Sequence, residues 1–250
     1  MQSGNEPQTA GSIGRVGRSL RTPRAAGAAG ILFALLLGVT IVLLHSAIPG
    51  GPSHGTDWLT NSWSRKAARA ELTVLPFAGI IFLWFMGAVR SHIGEAEDKF
   101  FATVFLGSGL LFAATLFALA SGTGSLLALA EWRGPALDPH VWDLGRAFAL
   151  DLLSGYCMRM AAVFTACTST IGFQLSVFPR WMTWLGYLTA VLLLFVAPVS
   201  GWFQLTFPLW VLLISIHMIR VSGRRKGTTR TAPPPETTPP PEGGMTVGDG

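Results

Sequence analysis

Charge is what this chain has least of. Only 12% of its 250 residues are Asp, Glu, Lys or Arg, about half the share found in soluble domains. So few charges cannot cover a water-exposed surface, and a soluble globular protein is excluded. General disorder is excluded from the other side, because 50% of the residues are hydrophobic and mean hydropathy is +0.48; such a chain has ample apolar surface to bury. Cysteine is nearly absent. Cys157 and Cys167 share one apolar segment, and ten residues of helix separate them by ~15 Å, too far for a bond. No disulfide framework exists, so the redox compartment is not legible. Chemical signatures are missing as well: the sequence holds no Walker loop, no Gly-x-Ser-x-Gly elbow, no zincin motif and no histidine pair at metal-ligand spacing.

What the chain does have is long apolar runs. Six stand out: Ala25–Ile48, Leu72–Val89, Phe100–Ser121, Ala147–Phe178, Trp181–Pro198 and Gly201–Ile219. Each is continuous over roughly the ~20 residues that cross a bilayer as a helix, without the ~10-residue alternation of a barrel strand. A helix satisfies its own backbone hydrogen bonds, which hydrocarbon demands. The expected fold is therefore all-α, a polytopic transmembrane bundle of about six helices in the cell membrane. Residues 1–24 are expected to be a disordered basic arm, 25–220 the transmembrane domain, and 221–250, with two Pro triplets, a disordered tail. The first run competes with a signal peptide, but His45-Ser46-Ala47 puts His where a small residue belongs, so a retained helix is expected.

Net charge is +5. The basic residues lie in the tails and beside apolar runs rather than among stacking aromatics, which points to anionic lipid headgroups and not to nucleic acid. Counting them by side for six crossings puts twelve on the face shared by both termini and five on the other. Both ends are expected to be cytoplasmic. The outer cluster Arg65, Lys66 and Arg69 opposes that rule. It is expected in a loop over 49–70, partly neutralised by Asp57 and Glu71; a short interfacial helix through Leu59, Trp63, Ala67 and Ala70 is the alternative.

Small residues let membrane helices approach. Ala26, Gly30, Ala34 and Gly38 form one such stripe, and Ala114, Ala118 and Gly122 another; both are expected to be contact faces. The fourth run is the most polar, with Asp151, Tyr156, Arg159, Thr165, Ser169 and Gln174. An arginine at bilayer depth is costly and must face the bundle, a cavity or headgroups. Arg159 is thus either a substrate or ion contact or an interfacial structural residue, and this helix is the candidate wall of any polar path. Asp151 is too far along a straight helix (~12 Å) to pair with it closely. The short turn Arg90–Lys99 concentrates Glu95, Glu97 and Asp98 beside Arg90. These carboxylates suit the positive end of the third helix, and a cytosolic partner is the other use.

The segments FAGIIFLWFMGAVR, EDKFFATVFLGSGLLF, YCMRMAAVFTACTST, FPRWMTWLGY and FPLWVLLISIH resemble an uncharacterised family of bacterial multi-pass membrane proteins. The resemblance covers residues 70–220 and includes Arg90, Glu97, Asp98, Arg159 and Arg180. It implies an integral membrane protein and supplies no catalytic, cofactor or metal residues. The expected activity is that of a small transport-related or membrane-accessory protein without chemistry of its own. A membrane enzyme acting on a lipid or isoprenoid and a structural subunit of a larger complex are the alternatives. Expected partners are membrane lipids, a second copy of the chain or another membrane protein; no cofactor is expected.

Overall fold

A computed structural model describes residues 23–47, 62–93, 99–134, 138–175, 178–197 and 199–228. Among these the chain is helical, with no strand. Helix α1 is Pro23–Ala47, α2 is Ser62–Ile93 and α3 is Lys99–Arg133. Helix α4 spans 139–174: an α-helix Pro139–Asp151, a π-helical stretch Leu152–Cys157, and an α-helix Met158–Gln174. Helix α5, Arg180–Val196, ends in a second π-helical stretch, Leu192–Val196. A 3-10 turn, Gly201–Leu205, leads into α6, Thr206–Thr228. Five of these helices are long and apolar enough to cross a membrane; Arg180–Val196 is apolar but shorter, with 17 residues or fewer.

Neighbours in sequence are neighbours in space, and α6 packs back on α1 to close the ring. The centre is filled by rings. Phe82 lies 4.9 Å from Phe33, 4.7 Å from Phe112 and 5.1 Å from Phe164 between centroids, and Phe112 is 5.2 Å from Phe207. All five are fully buried. Tilted and edge-on pairs at these distances add to plain burial. The rings come from α1, α2, α3, α4 and α6, so they mark one common level in the bundle.

Counting outward from that level at 1.5 Å per residue shows an asymmetry. Toward the end where α1 stops, helices α2, α3 and α4 run on by roughly 10–16 Å beyond it. They form a crown of three helices with a small core of their own: Leu127, Ala130 and Trp142, flanked by Ala68, Leu72, Leu126 and Leu129. Gly145 lets α3 and α4 close up there, since a β-carbon on it would sit 2.7 Å from Leu126 Cδ1. On the surface Arg69 donates from Nε and Nη2 to Glu131 Oε1 at 3.0 and 2.7 Å. Helix α3 ends at Gly134, whose φ of 54° is the left-handed conformation suited to glycine at a helix C-terminus. Asp138 starts α4, accepting from the His140 N–H at 2.9 Å with Pro139 in the first turn.

Several sequence expectations change here. Residues 62–70 are not loop but the first turns of α2, and Arg69 pairs with Glu131 rather than with Glu71; residues 49–61, Asp57 among them, lie outside the described residues. The third helix does not stop at Ser121; it continues through Ser121, Gly122, Thr123, Gly124 and Ser125 to Arg133. Two of these hydroxyls, those of Thr123 and Ser125, donate to carbonyls of their own helix, which removes much of the polarity that argued for an end. Helix α6 also runs to Thr228, past the expected boundary at 221; residues 1–22 and 229–250 lie outside the described residues. The stripe on α1 is largely a contact face: Gly30 meets Ser215 of α6 and Phe85 of α2, and Ala26 and Ala34 are buried. Gly38 has nothing within 4 Å of its missing β-carbon, because a spacing of four drifts steadily around a helix of 3.6 residues per turn. The α3 stripe holds only at Gly122, where a β-carbon would stand 3.1 Å from Phe148 Cε1 of α4. Ala114 and Ala118 are exposed, while Phe105, Ser108, Gly109, Phe112, Ala113, Leu116 and Leu119 make the buried face.

Candidate functional site: the outward face of helix α4

The polar residues of α4 divide into two groups. Thr165 and Ser169 are buried, but their hydroxyls are spent on their own helix: Thr165 donates to Ala161 O at 2.7 Å and Ser169 to Thr165 O at 2.8 Å. Thr168 does the same with Phe164 O at 2.7 Å. Ser169 lies against Gly186 of α5, where a side chain would also crowd Trp210 Nε1 of α6. These groups line a helix contact, and the phenylalanine rings fill the level beside them. They do not line a water path.

Asp151, Tyr156, Arg159 and Gln174 point the other way and are exposed. Three of them gather at the π-helical stretch. There the Met158 N–H reaches back five residues to Leu153 O, which inserts one extra residue into the turn; such bulges recur at functional sites. Arg159 Nη1 donates to Gly155 O at 2.7 Å, so the guanidinium leans one turn toward the crown. Asp151 Oδ1 leans in from the opposite side, 2.9 Å from where a Gly155 β-carbon would stand, with Arg159 Nη1 3.6 Å from the same point. The two do not form an ion pair at 4.0 Å, as their separation in sequence suggests. They cover Gly155 from its two sides instead, leaving it buried, with Tyr156 beside them at 58% exposure.

Depth follows from the ring level. Arg159 lies one and a half turns from Phe164, and its reach toward Gly155 carries the charge up to two and a half turns, ~13 Å, from the rings. If the rings mark the middle of a ~30 Å hydrocarbon layer, that charge ends near a headgroup level, as a snorkelling arginine does. The same stripe of α4 continues into the crown with Val141, Leu144 and Phe148 exposed at 40%, 72% and 53%. Gln174 is at the far end and joins neither group. Arg90 is exposed at the far end of α2, while Glu95, Glu97 and Asp98 lie outside the described residues.

Sequence reading sets Glu71 beside the basic cluster at the end of a loop, whereas the structure buries it inside α2. It is 2% exposed, and its Oε1 has no hydrogen-bond partner among the described residues. The signal was there: Ala67, Glu71, Leu75, Ala78, Phe82, Phe85 and Val89 are the buried face of α2, and Glu71 holds a core position of that helical period. No family model, no curated protein and no solved structure matches the chain, so the role of the α4 face has to come from its own chemistry.

Proposed function

We propose that this protein is a membrane-accessory subunit of the cell membrane that works by contact, through the outward face of α4, with both termini cytoplasmic and the crown outside. The observation that carries this reading is the arrangement of polarity. The bundle centre is packed with phenylalanine rings, and the side chains able to recognise something sit on the outside, at Asp151, Tyr156 and Arg159. Polar groups at that headgroup level stay able to bond a partner that covers them. The apolar continuation Val141, Leu144 and Phe148 supplies the hydrophobic part of such a contact.

A photo-crosslinking residue at position 156 tests this in the protein's own membrane. The expected result is one discrete protein adduct, reduced several-fold by Arg159→Gln or Asp151→Asn at unchanged protein level. Crosslinks to lipid alone, or solute flux through vesicles holding only this protein, overturn the reading.

A further inference from the structure

At the end of the bundle opposite the crown, side chains of α5 and α6 line an open groove of about 330 Å³, within the size range of small-ligand sites. Its floor is Met182, Leu209, Leu212, Leu213 and Ile216, and its rim is Trp181, His217 and Arg220. The length of the groove is informative. From Leu209 to Arg220 it runs eleven residues along α6, ~16 Å, beginning two residues from Phe207 in the central ring level. That is the depth of one leaflet, half of a ~30 Å hydrocarbon layer.

The chemistry changes along it. The deep part is entirely aliphatic, and the shallow end gathers an arginine, a histidine and a tryptophan with no carboxylate among the lining residues. Arg180 opens α5 at the same end, and the first turn of α5 carries no acidic residue. Trp181 is 58% exposed and Arg220 is exposed, so the rim is accessible from the headgroup layer. An arginine fork and an indole N–H are suited to a phosphate, and positive charge at the surface favours anionic over zwitterionic headgroups.

We infer that this groove is a binding site for one anionic phospholipid of the leaflet on that side, its acyl chain lying along α6 and its phosphate held by Arg220 and Trp181. The inference is independent of the contact role given to α4, since the two sites are at opposite ends of the bundle and share no residue.

Full-length protein in detergent, titrated with dioleoyl phosphatidylglycerol or dioleoyl phosphatidylcholine and read by native mass spectrometry, decides it. The anionic lipid is expected to bind at least fivefold more tightly. Arg220→Gln should cut that preference below twofold with thermal unfolding unchanged, and Arg220→Lys should restore most of it. Equal affinity for the two lipids, or a preference that survives Arg220→Gln, overturns the site. Should Arg220→Gln fail to fold, a diazirine-bearing phosphatidylglycerol locates the lipid on the wild-type chain. Adducts within 181–182 and 209–220 support the site, and adducts elsewhere refute it.

Discussion

Glu71 shows what one misplaced polarity costs and how it is tolerated. It occupies a core position on α2, where a residue such as Leu75 one turn on is fully buried and apolar. A carboxylate that needed a buried ion partner would lose about 3–5 kcal/mol on neutralisation. Glu71 has no such partner among the described residues. Glu71→Gln is therefore expected to change stability by less than about 1 kcal/mol, measured by thermal unfolding in detergent; a loss of several kcal/mol would show a charge requirement. Arg159 is the opposite case. Its expense in a membrane is legible from the sequence, but its solution, a 2.7 Å hydrogen bond to Gly155 O across a π turn, is not.

At the scale of elements, the apolar runs located every helix and misjudged most of their lengths. Hydropathy marks the part of a helix that lipid selects. It is silent on turns that continue into water, where α2, α3 and α4 are held by the crown core and the Arg69–Glu131 pair. That exposed pair is worth at most about 1 kcal/mol, so Trp142 and the leucines around it carry the crown. Asp138 is the cap of α4. Asp138→Ala is expected to lower hydrogen-exchange protection of residues 139–146 by about 1 kcal/mol, leaving 158–174 unchanged. An equal loss along both stretches would show that crown and membrane parts unfold as one unit.

For the whole molecule, the bundle has two unlike ends. One carries the crown and the α4 charges, the other the groove and Arg220. Which end is outside rests on the twelve-to-five distribution of basic residues. The Arg65, Lys66 and Arg69 exception belongs to a folded helix of the crown, and folded extramembrane parts weigh less in that rule than short loops. Cys157 and Cys167 are both buried, so an added cysteine reports cleanly. Trp132→Cys in the crown is expected to react with an impermeant maleimide in intact cells, and Ser91→Cys only after lysis. The reverse pattern would invert the molecule.

The amino-acid order alone determined that this is an all-helical, multi-pass chain, because continuous apolar runs with few charges have no other low-energy state in lipid. It also determined which helix carries the polar residues. The direction in which those residues point was decided by tertiary structure. Six helices around a phenylalanine centre leave no room for a polar interior, so Thr165 and Ser169 turn back on their own backbone. Asp151, Tyr156 and Arg159 are left exposed on the outside of the bundle, with Arg159 bonded to Gly155 O of its own helix.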